Sequence, residues 1–146
     1  MKPQWTLVAN GSQARIFSRA SLADPLVALA TIDFPEGRQK GRDLERDRQG
    51  HESSDHSSAA THFEPHTPLR KKLLHQFAME LTQRLEAGLA DGTYGSLWII
   101  ASSELLGELK DVLSEGVVSH LQKAHAADFT GLDIGEIESR LRGMHP

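Results

Sequence analysis

Residues 35–68 form a long polar stretch with too few apolar residues to be buried in a hydrophobic core. These 34 residues contain five basic side chains, seven acidic side chains and half of the histidines of the chain. Their hydrophobic residues are Leu44, Ala59, Ala60 and Phe63, too few to offset the entropy lost when a chain becomes ordered. A connection this long without apolar residues is typical of a functional or disordered segment. We therefore expect the flanking residues to form the core and this stretch to be the functional surface.

Length and composition indicate one domain, residues 1–146, with the polar insert at 35–68. A formal net charge of −4 argues against a general nucleic-acid coat protein but permits a local basic patch. Cysteine is absent, which excludes disulfides and thiolate zinc sites. We see no secretory apolar region after Met1 and no apolar run long enough to span a bilayer. These features predict a cytoplasmic protein that does not insert into membranes.

The residues before the insert predict three short strands. Residues 5–9 (WTLVA) and 14–19 (ARIFSR) are separated by the turn-forming Asn10 and Gly11, and residues 26–34 (LVALATIDF) follow a second turn at Asp24-Pro25. Such short connections favour an antiparallel meander.

A long amphipathic helix is predicted after the insert. Thr67 is suited to the N-cap, and Pro68 to the first helical position, where its missing N–H costs nothing. Apolar residues then recur every four positions on one face, and Asp91-Gly92 ends the helix. The members of this stripe are Leu69, Leu73, Phe77, Leu81, Leu85 and Leu89.

The remaining chain alternates between strands and helices. Residues 97–101 (LWIIA) predict a strand buried on both faces, and residues 102–113 a helix. Residues 117–129 fit a strand or a helix equally, and Asp133 with Glu136 predicts the cap of a last helix that ends near Gly143. The fold class is therefore α/β, with a mixed five-stranded sheet, helices on its faces and the long polar loop between the third strand and the first helix. This element order resembles the ribonuclease H-like arrangement.

Several blocks of the sequence resemble the bacterial host-attachment protein family, described as required for attachment to host cells. The most specific block is the loop signature Pro35-Glu36-Gly37-Arg38, Arg42-Asp43-Leu44 and Asp47-Arg48-Gln49-Gly50. The other blocks are residues 5–9, Gly11, residues 14–17, residues 77–81, Leu106-Gly107 with Leu109, and residues 128–130.

That family is in turn similar to the middle domain of archaeal and eukaryotic peptide-chain release factors. The resemblance implies a release-factor-like fold, a cytosolic module directed at RNA or the ribosome, and an indirect role in attachment. The release-factor Gly-Gly-Gln tripeptide is absent, since Gln49-Gly50 has the residues in another order. Peptidyl-tRNA hydrolysis is therefore not implied.

Two groups of cations are candidates for an anion-binding or RNA-binding surface. The first lies in the insert, and arginine side chains there could bind phosphate in a bidentate manner. The second lies in the first turn of the long helix, where cations oppose the helix dipole unless an anion binds nearby. Acidic neighbours, including Asp43, Glu45 and Asp47, could instead neutralise these charges. The candidates are Arg38, Lys40, Arg42, Arg46, Arg48, Arg70, Lys71 and Lys72.

Catalysis is not predicted, and no cofactor is expected. The histidines His51, His56, His62 and His66 are alternative metal ligands, but Pro65 prevents a regular helical turn between the last two. The strands lack the grouped carboxylates that a two-metal nuclease needs. Two other functions stay open: a hydrolase, acting on aminoacyl or peptidyl esters or through a metal bound by the loop histidines, and a protein-interaction module whose insert folds on a partner chain.

Overall fold

The computed structural model describes residues 2–37 and 68–144. In chain order, its elements are the strands β1 (Gln4–Ala9), β2 (Gln13–Arg19) and β3 (Val27–Asp33), helix α1 (Pro68–Ala90), strand β4 (Ser96–Ala101), helices α2 (Ser103–Val112) and α3 (Glu115–His120), strand β5 (Leu121–Ala126) and helix α4 (Ile134–Arg142).

The described strands form one sheet with the order β3-β2-β1-β4-β5. β2 is antiparallel to both β1 and β3, whereas β1, β4 and β5 are parallel to one another. The mixed sheet and its antiparallel meander are thus confirmed. Four strands therefore end at the same side of the sheet, at Ala9, Asp33, Ala101 and Ala126; we call this side the carboxyl edge.

The hydrophobic core has two layers, one on each face of the sheet. One layer joins Leu7, Leu97 and Ile99 to the apolar faces of α1 and α2. The other joins Val8 and Trp98 to α4. Because successive residues of a strand point to opposite faces, the unbroken apolar runs of β1 and β4 supply both layers. The predicted placement of helices on both faces is confirmed.

Helix α1 ends as predicted but begins with less burial than its sequence suggests. Gly92 adopts a positive φ of 75° just beyond the last turn, a backbone conformation that glycine adopts readily. The buried residues begin at Leu74, and Leu69 is 40% exposed, so its assignment to the buried stripe is wrong. A helix of 23 residues spans about 34 Å, whereas a strand of six residues spans about 20 Å. We infer that the first turn of α1 extends past the carboxyl edge.

The ambiguous stretch at 117–129 contains both kinds of element. The Ser114 hydroxyl accepts a hydrogen bond from the Val117 amide at 3.2 Å and caps α3, which leads directly into β5. The cap at Asp133 is confirmed, because its Oδ1 accepts the Glu136 amide hydrogen at 2.8 Å. Among the described residues, no helix is long and apolar enough to cross a bilayer.

Candidate functional site at the carboxyl edge

The described ends of the polar insert both lie at the carboxyl edge, beside the turn that joins β1 to β2. On the first side, the Phe34 amide donates to the Ser12 carbonyl at 2.8 Å, and a Cβ atom on Gly37 would overlap the Gly11 carbonyl. On the second side, Leu74 packs against Gly11, with its Cδ2 atom 3.4 Å from where a Cβ would stand. The chain therefore leaves and re-enters the described fold at one place.

The N-termini of α1 and α2 lie side by side at this edge. Arg70 NH2 contacts Glu104 Oε1 at 2.6 Å, and Lys71 Nζ contacts Glu108 Oε2 at 2.8 Å. His75, five residues after Arg70, contacts Glu108, four residues after Glu104, so the contacts advance together along both helices and the helices are parallel. Ligands of open α/β sheets bind outside the carboxyl ends of the strands, and helix N-termini favour anions. The position is therefore suited to binding an anionic group.

Glu108 is the centre of the charge cluster between the helices. Its side chain is 10% exposed, and its second oxygen lies 3.2 Å from His75 Nδ1. The hydrogen bond from Lys71 lowers the pKa of Glu108, against the opposing effect of desolvation. The same hydrogen bond raises the pKa of Lys71. Both groups are therefore held in their charged forms.

The three predicted cations of α1 differ in their surroundings. Carboxylates of α2 contact Arg70 and Lys71, although Lys71 is 69% exposed. Lys72 is exposed, and its side chain has no hydrogen bond or ion pair with any other described residue. The sequence analysis identified the three cations but missed Glu104 and Glu108 as their partners. The spacing of these glutamates, one helical turn apart on α2, was the available signal.

The other predicted site residues lie outside the described part of the chain. They are the cations Arg38, Lys40, Arg42, Arg46 and Arg48 and the histidines His51, His56, His62 and His66. Within residues 2–37 and 68–144, no three histidine, aspartate or glutamate side chains are placed to hold a metal ion.

A second polar cluster at the carboxyl edge joins the β1–β2 turn to the segment after β5. Asn10 Nδ2 donates to Asp128 Oδ2 at 2.9 Å and to Thr130 Oγ1 at 3.0 Å. Asn10 Oδ1 accepts the amide hydrogens of Ser12 and Gln13. Burial acts to raise the pKa of Asp128, but hydrogen bonds from Thr130 and Asn10 outweigh it and hold that pKa below its usual value. The amide donor and the amide acceptor of Asn10 are both bonded to other residues of the protein. This cluster therefore fixes the conformation of the carboxyl edge.

Comparison with known protein families identifies the chain at the level of the family. Residues 5–141 match the family described as "Protein required for attachment to host cells". No curated protein matches the chain. The matched range includes the strands β2 to β5, the helices α1 to α3, the polar insert and nearly all of β1 and α4. The chain therefore belongs to the family of proteins required for attachment to host cells.

Proposed function

We propose that this protein is a cytosolic, non-catalytic binding module whose carboxyl edge contacts RNA, most directly on the ribosome, and that its role in host attachment is indirect. The contacts come from Arg38, Lys40, Arg42, Arg46 and Arg48 in the insert, together with Arg70, Lys71 and Lys72 at the start of α1. A release-factor-like fold belongs to the same proposal. The antiparallel meander followed by two parallel strands supports it.

One observation carries the proposal: the insert joins the described fold where two parallel helices begin. Gly37 packs on Gly11 on one side of the insert, and α1 starts on the other. Free N–H groups at helix N-termini attract phosphate, and nearby cations strengthen this attraction.

The ion pairs of Arg70 and Lys71 are compatible with binding of a phosphate. A guanidinium carries five N–H donors and an ammonium three, so a carboxylate contact leaves donors for a second oxygen. Glu104 and Glu108 reduce the net positive charge of this surface and thereby limit nonspecific attraction. Lys72, which has no carboxylate partner in the described part of the chain, provides the least opposed positive charge.

Co-sedimentation with ribosomes, and RNA binding measured over a salt series, test the proposal. We expect affinity to fall as salt rises, with a logarithmic slope of about 0.7 to 0.9 for each phosphate neutralised. Glutamine at Arg38, Lys40, Arg42, Arg46 and Arg48 should abolish co-sedimentation, and Lys72→Gln should weaken it.

Lys110→Gln is the matched control for Lys72→Gln, because Lys110 is an exposed lysine in the last turn of α2. It should leave binding unchanged. Absence of RNA affinity even at low salt, or equal losses from Lys72→Gln and Lys110→Gln, would refute a specific RNA surface at the carboxyl edge.

A further inference from the structure

A group of buried nitrogen donors lies on the α4 face of the sheet, at the end opposite the carboxyl edge. Gln4 begins β1 and Arg19 ends β2, and the two residues are directly paired in the sheet. Trp98 of β4 shares a hydrophobic cluster with Val8, and alternate residues of β1 point to one face, so Gln4 and Trp98 lie on the same face. Gln4, Arg19 and Trp98 are 4%, 4% and 1% exposed, respectively.

Contacts between these three side chains bring their donors close together. Arg19 Nε donates to Gln4 Oε1, and the guanidinium carbon of Arg19 lies 4.9 Å from the centre of the Trp98 ring. One nitrogen of each side chain has no acceptor in the part of the chain that the structure describes: Gln4 Nε2, Arg19 Nη2 and Trp98 Nε1. All three nitrogens are donors only, and a buried donor without an acceptor costs free energy. The group is therefore suited to a ligand that accepts several hydrogen bonds.

Arg19 adds a buried positive charge that no carboxylate of the described residues contacts. Glu138 of α4 attracts this charge, but its Oε2 accepts the Leu26 amide hydrogen at 2.7 Å and its Oε1 faces Arg142 at 4.0 Å. Burial lowers the pKa of Arg19 in spite of the opposing attraction of Glu138. A water molecule would satisfy the donors, but only an anion would also compensate the buried charge.

A second cation lies beside the same indole ring. Lys123 of β5 is paired with Trp98 in the sheet, and its Nζ is 5.8 Å from the centre of the ring. Lys123 is half-buried, and its ammonium group has no hydrogen bond or ion pair with another described residue. Two cations thus lie within 6 Å of one ring centre in a chain whose net charge is −4. Such a local concentration of positive charge attracts anions.

We propose that these four side chains form a binding site for a small oxyanion, a carboxylate or a phosphate group. Arg19 supplies the buried charge, and Lys123 supplies the second charge at the border of the site. Gln4 and Trp98 supply neutral N–H donors. The oxygens of an oxyanion carry several lone pairs, so one ligand accepts from all of these donors together. The site is separate from the carboxyl edge, because it lies at the other end of β1 and β2.

The donors are enclosed, so a ligand reaches them only when a covering segment moves. The loop between β2 and β3, residues 20–25, is exposed throughout. Arg19 Nη1 donates to the Leu22 carbonyl of this loop at 3.4 Å, which is long for a hydrogen bond. The hydrogen bonds of Ser21 with Ala23 and Asp24 lie within the loop. Outward movement of the loop therefore breaks one weak bond to Arg19 and opens the site.

NMR titration of the full chain with sodium phosphate, and separately with sodium acetate, tests the site at constant ionic strength. The indole N–H signal of Trp98 should shift downfield and saturate, because this group gains an acceptor. Trp5 is the internal reference, since it packs on the α1 face of the sheet and its indole signal should not move. A response to phosphate identifies a phosphate site and a response to acetate a carboxylate site. A Trp98 signal that moves with neither anion overturns the proposal.

Two substitutions act on the buried charge. Arg19→Met removes it and should abolish the response of Trp98. Gln4→Glu keeps the shape of the side chain and places a carboxylate beside Arg19. It should raise the melting temperature in phosphate-free buffer and abolish the response as well, because the protein then supplies the anion itself. A response that persists in either variant overturns the proposal.

Substitution of two other lysines separates this site from the carboxyl edge. Lys123→Gln should raise the dissociation constant of the anion by about threefold, as expected for a partly exposed charge. Lys72→Gln is the matched control, because Lys72 is an exposed cation at the carboxyl edge, and it should leave the Trp98 response unchanged. Equal losses in the two variants would overturn a site at Arg19, whatever the carboxyl edge binds.

Discussion

Glu108 shows how one residue sets the charge of the carboxyl edge. Its carboxylate is nearly buried between α1 and α2 and receives Lys71 on one oxygen and His75 on the other. A buried charge is stable only when it is paired and hydrogen-bonded, and Glu108 satisfies both conditions. It therefore ties α2 to α1, whose N-terminal cations would otherwise oppose the dipole of that helix.

Replacing Glu108 by glutamine should destabilise the protein in a pH-dependent way. The hydrogen bond from Lys71 lowers the pKa of Glu108 from an ordinary value of 4.5. The carboxylate therefore contributes stability above its ordinary pKa, and this contribution is lost as pH falls through the lowered pKa. At neutral pH we expect Glu108→Gln to cost about 1 kcal/mol, after allowance for solvent around the exposed ammonium.

Urea unfolding between about pH 7 and about pH 3 measures this effect, and the two proteins should converge at the acid end. Glu80→Gln is the matched control, because Glu80 is exposed on α1 and its side chain has no hydrogen bond or ion pair with another described residue. A constant difference between wild type and Glu108→Gln at all pH values would contradict an ionic role for Glu108.

Individual residues were predictable when their signal was local. Asp133 was identified as a cap because its partner Glu136 lies three residues away, and the contact is present. Glu108 was missed because its partners, Lys71 and His75, are more than thirty residues distant in sequence. Only the packing of α1 beside α2 brings them together.

At the scale of elements, the packing of Trp5 of β1 against α1 depends on a single glycine. The Trp5 ring lies against Gly88 and stacks on Tyr94, with 4.6 Å between ring centroids. A Cβ atom on Gly88 would stand 2.5 Å from Trp5 Cη2 and 3.1 Å from Tyr94 Cε1. A rigid indole ring cannot move away as a flexible side chain can, so helix and strand would have to separate.

Gly88→Ala should therefore destabilise the protein, although alanine favours helices. The gain in helix propensity is at most about 1 kcal/mol, whereas overpacking costs about 1 to 3 kcal/mol. Gly107→Ala is the matched control, because Gly107 lies within α2 and a Cβ there would meet no atom within 4 Å. It should stabilise the protein by about 0.5 to 1 kcal/mol. Thermal unfolding compares the two, and stabilisation by both substitutions would show that Trp5 is not packed tightly on α1.

The elements themselves were largely predictable, because their hydrophobic patterns are strong. Strands β1 to β4 and helices α1, α2 and α4 form where the sequence indicates them. The unforeseen helix α3 has six residues, too few for a helical period to emerge. Leu69 shows a different limit: periodicity predicts which helix face is apolar, but it does not predict where the sheet beneath the helix ends.

At the scale of the whole molecule, the described core joins residues on both sides of the insert. Among the described residues, the two hydrophobic clusters draw on 5–34 and 73–144. The sheet joins the two parts, because β1 pairs with β2 on one side and with β4 on the other. The strand order itself was not predictable in full, since it depends on the placement of β4 beside β1, across more than eighty residues.

Because residues 38–67 contain few apolar side chains, the fold and the binding surface should be separable by deletion. We expect a variant in which a Gly-Ser linker of about eight residues replaces residues 38–67 to fold, since the cost of closing a connection grows only slowly with its length. Its free energy of unfolding should lie within about 2 kcal/mol of that of the full chain, and its circular dichroism should retain the α/β signal. The same variant should lose ribosome co-sedimentation. A deletion variant that folds and still binds ribosomes would show that the RNA-binding surface lies outside the insert. A deletion variant that fails to fold would show that residues 38–67 are needed for the core.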